Sequence, residues 1–304
     1  MADPRPGVGL DIDFTNGDRR RGAMDELIQS LIGLSEEPPS ADRLDSMRAA
    51  ARAIVEELDR AEAVKERRAE AVRIGRLMRQ QAVAMVFQPI VELSTGRHVG
   101  FEALARFRRR AAPGRWFAEA ARVGMGTALE LLAIRLALED FNRIPPDAFL
   151  AVNLSPPSLA SPGLAAILDT VDGHRVVFEL TEHAGVESYG VLARAIRPFR
   201  DRGVRLAIDD VGAGFASLKH VISLSPDMLK LDISLTTRID TDRVRRALVA
   251  SLVTFAEQVG TTLTAEGVAT GRELAVLVDL GVRFGQGYFL GRPKPLSLLG
   301  QPAL

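Results

Sequence analysis

From residue 83 onward the apolar positions fall in short, nearly unbroken runs separated by longer segments of helical spacing. The runs are Val83 to Val91, Val99 to Leu104, Phe149 to Leu154, Val176 to Leu180, Leu206 to Ile208, Met228 to Ile233, Thr262 to Val268 and Phe284 to Leu290. Alternation of apolar and polar residues would mark a strand with one wet face. Continuous runs rich in Val, Ile, Leu and Phe instead predict strands buried on both faces. Helical patterns at Ala128 to Phe141, Val244 to Val259 and Arg272 to Leu280 lie between them. Eight strand-like runs alternating with helices in about 220 residues predict an α/β fold, a (β/α)8 TIM-like barrel. A doubly wound open sheet carries the same local signature and is the alternative.

The first 81 residues have a different texture. Residues 1–40 mix Pro, Gly, Asp and Arg and read as a flexible leader. From Ser40, an N-cap type, to about Gln81 there is no proline, and Leu44, Met47, Ala51, Ile54, Leu58 and Ala61 follow one another at spacings of three and four. This predicts a helical extension over 41–81, either one strand of a dimerising coiled coil or a helix packed on its own domain; Lys65 and Arg68 occupy the next seam positions. The barrel domain is then expected over 82–304.

Composition removes several kinds of chemistry. There are 39 Lys+Arg against 39 Asp+Glu, so the chain lacks the basic excess of a nucleic-acid coat, and no DNA or RNA partner is expected. The one basic cluster, Arg106 to Arg110, reads as a solvated loop. No cysteine is present, which excludes disulfides, thiolate metal sites and cysteine nucleophiles. The four histidines have no shared metal-ligand spacing, and the single Trp116 reads as a packing residue. No apolar stretch reaches the roughly 20 residues of a membrane span, and Asp3, Asp11 and Asp13 interrupt any signal-peptide pattern. The cytoplasm is the expected location.

The polar residues lie where the runs end, and in a β/α barrel strand ends open into one mouth. The second run carries Glu102 and Arg106, the third Asn153, and the fourth Glu179 with Glu182 just beyond. The fifth ends in Asp209 and Asp210, the sixth carries Lys230 and Asp232, the seventh Glu266 and the eighth Gln286. A polar cap at one strand end is ordinary. Several anions converging in one mouth repel strongly unless a cation offsets them. Oxygen donors without thiolate or paired histidine suit Mg²⁺ or Mn²⁺ rather than zinc. Asp209 and Asp210, adjacent on a strand, should face opposite ways. Gly212 and Gly214 would let the chain bend just after them, so that both carboxylates serve a pair of ions.

In this order the strings FQP, EALAR, NLS, ELTE, DDVGAG, KLD, AEGV and QGY resemble the EAL family of cyclic di-GMP phosphodiesterases, over about residues 82 to 296. The resemblance implies a modified (β/α)8 barrel whose first strand runs antiparallel to the rest, and hydrolysis of cyclic di-GMP to linear pGpG with two Mg²⁺ or Mn²⁺ ions. It makes Glu102, Asn153, Glu179 and Asp209 metal ligands, with Asp210 helping to hold the second ion. It places Lys230 at the attacking water or phosphate, Glu266 as general base or orienter of the metal site, and Gln286 beside water or substrate. Gln88 and Arg106 would bind the nucleotide, and Glu182 would brace the loop after Asp210, which couples a homodimer interface to the metals.

Some positions depart from the family pattern. Val211 stands where an aromatic is common, Phe215 and Ala216 replace Tyr-Ser, and Ala269 replaces the last Glu of EGVE. None removes a ligand; all lie near loops that tune activity. Two other readings stay open at this point. One is a non-hydrolysing cyclic di-GMP receptor module, and the other is a different metal-dependent barrel enzyme or a scaffold.

Overall fold

The computed structural model describes residues 40–80, 82–108, 112–180, 188–212 and 221–298. Residues 1–39 of the leader expected over 1–40, Glu182, and the loop positions Gly214, Phe215 and Ala216 lie outside them. The chain divides into two compact units, residues 1–72 and 73–304. The long helix α1, Ala41–Arg79, starts directly after Ser40 and crosses that division. In the first unit, Ile54 and Leu58 of the three-four stripe are exposed while Ala51 is buried.

The second unit is a closed barrel of eight strands in sequential order. They are β1 (Val83–Glu92), β2 (His98–Phe107), β3 (Phe149–Asn153), β4 (Val176–Leu180), β5 (Arg205–Val211), β6 (Met228–Leu231), β7 (Thr262–Ala265) and β8 (Phe284–Gly285). Strand β1 pairs antiparallel with both β2 and β8, and every other pairing is parallel. Closure removes the open-sheet alternative, and the reversed first strand agrees with the family resemblance.

Around the strands lie α2 (Pro113–Arg122), α3 (Gly126–Glu139), α4 (Pro156–Leu159), α5 (Pro162–Leu168), α6 (Tyr189–Arg200), α7 (Ile233–Thr236), α8 (Arg243–Val259) and α9 (Gly271–Asp279). Between parallel strands the chain must return to the starting end of the barrel, and the helices make that return while covering the outer strand faces. The apolar runs are continuous because both faces are covered. Outward residues such as Leu150, Phe178, Leu206 and Leu229 meet the helices in the main core. Inward residues Ile90, Phe149, Ala151, Val177, Ala207, Met228 and Phe284 fill the barrel. Gly100 is required there, because any Cβ at that position would collide with the Phe149 ring.

The barrel unit begins within α1 rather than at residue 82. Ile74 is 0% exposed and, with Leu77, packs against Val83, Ala105, Trp116, Leu129 and Ala133. Arg73 is joined to Glu119 on α2 at 2.5 Å. Trp116 stacks on Phe107 with ring centroids 5.6 Å apart, the packing role its position suggested. Ile74→Ala is therefore expected to destabilise the barrel by about 2–5 kcal/mol. Chemical denaturation checks this; a cost near zero would mean that the end of α1 is dispensable.

Candidate functional site

Strand parity builds the site. Side chains two apart on a strand share a face. Ala151 is followed inward by Asn153, Val177 by Glu179, Ala207 by Asp209 and Met228 by Lys230. On the reversed β1 the same step runs backwards, from Ile90 to Gln88, and Gln88 lies in register opposite Glu102 of β2. Asn153 likewise lies opposite Glu179. The apolar interior thus ends in a polar layer at one mouth.

Lys230 is the hub of that layer. Its side chain is 2% exposed, and its Nζ lies 2.8 Å from Glu266 Oε1, 2.9 Å from Glu179 Oε2, 3.3 Å from Asp209 Oδ1 and 3.5 Å from Glu102 Oε2. Amides complete the network. Asn153 Nδ2 donates to Glu102 Oε1 at 3.0 Å, and Gln286 Nε2 donates to Glu102 Oε2 at 2.6 Å and to Gln88 Oε1 at 2.9 Å. Gln88 Nε2 in turn donates to the Gly291 carbonyl at 3.1 Å. Gln286 follows β8 directly, its own N–H donating to the Ala265 carbonyl at 2.8 Å.

Asp209 and Asp210 reach the mouth together by a route that differs from the expected bend at the glycines. Strand β5 continues through both residues, with its register to β6 shifting between Ile208 and Val211. Asp210 itself takes φ +56°, a left-handed conformation that Asp tolerates better than most residues. The bulge turns its carboxylate to the side Asp209 faces, and ligand atoms of Asp209, Asp210 and Glu266 lie within 4.8 Å of one another. Gly212, at φ +109°, continues the turn against Leu235.

Arg106 lies apart from the carboxylate network. Its Nη1 donates to the Ala105 carbonyl at 3.0 Å, and it borders a cavity of about 410 Å³ between β2, β3, α2 and α3 that Asn153 also lines.

Four carboxylates around one ammonium set unequal proton affinities. Burial alone would lower the Lys230 pKa, but Glu102, Glu179, Glu266 and Asp209 outweigh it and raise it well above the usual lysine range. Burial pushes Glu102 upward, yet the Lys230 charge and the amide hydrogen bonds bring it below its usual value. Glu179 is held well above its usual value by burial and then by the Glu102 charge. Burial likewise raises Glu266 to about 7, against the pull of Lys230.

Between the ordinary value of 4.5 and about 7, folded Glu266 keeps a proton that the unfolded chain has released. Stability of the metal-free protein should therefore fall as pH rises through that window. Glu102, lowered, acts only below it. Thermal unfolding with chelator at about pH 5 and about pH 8 measures the difference; a more stable protein at the higher pH would contradict the assignment.

The donor set fits a divalent cation. Carboxylate and amide oxygens converge without sulfur or imidazole, and Gln286 Oε1 is buried with no hydrogen-bond partner among the described residues. Only a cation or a further donor would satisfy that oxygen.

Two supporting residues were not anticipated from the sequence. Glu273 accepts from the N–H groups of Ala269, Thr270 and Arg238 at 2.9–3.0 Å, which fixes the loop after Glu266. The Thr270-x-x-Glu273 capping box was the signal for it. Glu130 on α3 holds the turn after Asn153, and no local pattern marks it.

Comparison with known proteins agrees with this geometry. Residues 70–293 match the EAL domain. PdeB of Escherichia coli strain K12, named a probable cyclic di-GMP phosphodiesterase, is 29% identical over 228 residues, covering 70% of this chain and 43% of PdeB. The oxygen sensor protein DosP of the same strain is 30% identical over 248 residues, covering 77% of this chain and 31% of DosP. The chain thus spans less than half the length of these relatives. A structure of Klebsiella pneumoniae BlrP1 in complex with calcium and cyclic di-GMP superposes with a TM-score of 0.64 at 32% identity, covering 71% of this chain and 56% of that one. With the family match running over most of the barrel and an eight-stranded fold whose first strand is reversed, the chain belongs to the EAL domain family.

Proposed function

We propose that this protein is a metal-dependent phosphodiesterase that hydrolyses cyclic di-GMP to linear pGpG. The observation that carries the reading is the convergence of Glu102, Glu179, Asp209 and Glu266 within 3.5 Å of the single buried ammonium of Lys230. The name of PdeB and the ligand in the BlrP1 complex point to the same nucleotide.

In this reading Glu102, Asn153, Glu179 and Asp209 hold Mg²⁺ or Mn²⁺, with Asp210 contributing to a second ion. Such ions, when bound, supply positive charge at the phosphodiester and bring the pKa of water towards neutrality. Asn153 donates to Glu102 through Nδ2, so Oδ1 is the atom it presents to a cation. Lys230 stays protonated among its carboxylates and stabilises the negative charge that grows on the phosphoryl oxygens. Glu266, 2.8 Å from Lys230 Nζ, accepts the proton of the attacking water or orients the ion-binding carboxylates. Arg106 offers paired guanidinium donors to a phosphate oxygen. Gln88 and Gln286, already hydrogen-bonded to each other, orient substrate and water. One water is consumed and one phosphodiester bond is cleaved, leaving a 5′-phosphate and a free 3′-hydroxyl. Glu182 keeps its proposed role as a brace of the loop after Asp210.

The test is to incubate purified protein with cyclic di-GMP and either Mg²⁺ or Mn²⁺, and to separate the products. Formation of pGpG, stopped by chelator, is the expected result. Intact nucleotide with both ions would end the enzymatic reading, and tight binding of that intact nucleotide would identify a receptor instead.

A further inference from the structure

Among the described residues outside the carboxylate network, one part-buried arrangement ties a carboxylate of α3 to the turn that follows Asn153. Ser155 opens the short helix α4 in the place of an N-cap, but its side chain makes no capping hydrogen bond. An N-cap serine normally accepts from an N–H of the first turn. Here Pro156 and Pro157 have no N–H to offer, and the hydroxyl lies 3.2 Å from Ser158 Oγ. Ser155 Oγ donates to Glu130 Oε2 at 2.7 Å, and the Ser155 backbone N–H donates to the same oxygen at 3.0 Å.

The position of this clamp matters because of its neighbours. Asn153 is the last residue of β3, and Leu154 N–H donates to the Glu179 carbonyl at 2.9 Å. The chain leaves the sheet at this point, and Pro156 and Pro157 follow Ser155 without N–H groups to anchor it. Leu154 is buried in the main core, while Asn153 and Ser155 line, together with Glu130, the cavity of about 410 Å³. The two hydrogen bonds to Glu130 tie Ser155 to α3, while Leu159 N–H donating to the Ser155 carbonyl at 3.0 Å holds it to α4.

We propose that Glu130 is a positioning residue, whose single carboxylate oxygen clamps Ser155 and thereby fixes the Asn153 carboxamide against Glu102 and the divalent-ion pocket. The proposal rests on the reading of Asn153 as a metal ligand. It assigns a role to a side chain on α3 that acts through Ser155, at the cavity that Arg106 and Asn153 also line. Partners that orient a ligand from behind typically change metal affinity or activity by about 10–100-fold when removed.

The test uses the full chain, freed of metal, titrated with Mn²⁺ and followed by electron paramagnetic resonance of the free ion. Asn153→Ala and Glu130→Ala should each weaken Mn²⁺ binding by about 10-fold or more. The double variant should be no weaker than Asn153→Ala alone, because the clamp has nothing left to orient. Glu130→Gln should restore most of the affinity, since its amide oxygen can accept both Ser155 bonds.

The outcomes separate the two claims. Unchanged binding in Asn153→Ala removes the ligand reading of Asn153, and the positioning proposal with it. Weakened binding in Asn153→Ala with unchanged binding in Glu130→Ala removes the positioning proposal alone. Additive losses in the double variant do the same, because Glu130 would then be acting elsewhere. Should Glu130→Ala fail to fold, Ser155→Ala, which keeps the backbone N–H bond to Glu130, should give a smaller loss of Mn²⁺ affinity in the native background and none in Asn153→Ala; an equal loss in both backgrounds would remove the proposal.

Discussion

Lys230→Met should make the metal-free protein about 3–5 kcal/mol less stable while leaving it folded, the usual consequence of removing one partner from a buried charge network. The ammonium is the only cation that the described structure places within reach of Glu102, Glu179, Asp209 and Glu266. Without it their charges face one another in a site from which water is largely excluded, and they respond by taking up protons. The variant should therefore be more stable at low pH and lose stability as pH rises. Mn²⁺ or Mg²⁺ replaces the missing positive charge, so the rise in Tm on adding ion should be larger for Lys230→Met than for the native protein. Turnover should fall in the same variant, because the ion can restore stability without restoring the charge on the phosphoryl oxygen. Calorimetry with and without ion reads both effects. Equal rises in Tm for the two proteins would show that Lys230 and the ion do not share one set of carboxylates.

Much of this site was legible because strand parity is simple. Once Ala151, Val177, Ala207 and Met228 are inward-facing, the residues two further on, Asn153, Glu179, Asp209 and Lys230, must share their face, and in a barrel that face leads to the mouth. What was less legible depended on conformations or contacts that no local pattern encodes. The bend at Asp210 was expected at Gly212, because glycine is the usual residue at positive φ, whereas Asp210 itself adopts it inside a bulge. Ile74 and Leu77 belong to the barrel, but α1 runs through them, and through Gly75 between them, as one continuous helix, so nothing in the helical spacing separates the two units. The last apolar run reads as a strand from Phe284 to Leu290, yet β8 pairs only through Gly285. Gly287 then lies so close to the Val268 backbone that no side chain would fit, and the chain turns away. Glu130 meets Ser155 across 25 residues, and only the folded chain brings them together.

Glu102→Ala should reduce pGpG formation by more than about 100-fold, beyond the range expected for residues that merely support a metal ligand. Glu102 accepts from Gln286 Nε2 at 2.6 Å and from Asn153 Nδ2 at 3.0 Å, with Lys230 Nζ at 3.5 Å. In the proposed function truncation removes an ion ligand, and it also strands one N–H of the buried Gln286 amide at a cost of about 1–3 kcal/mol, while Lys230 keeps Glu179, Asp209 and Glu266. The conservative change is no remedy here. In Glu102→Gln one of the two oxygens becomes an NH₂ group, which must face either Asn153 Nδ2 or Gln286 Nε2, donor against donor. Glu102→Gln should thus lose turnover almost as fully as Glu102→Ala, and Mn²⁺ affinity should fall in both. Glu102→Asp keeps the charge and both acceptor oxygens but draws them back by one methylene, and should retain a small measurable rate. Steady-state rates with either ion, alongside circular dichroism to establish that each variant is folded, give the comparison. A folded Glu102→Ala protein turning over within a few-fold of the native rate would leave the carboxylate cluster without a catalytic role.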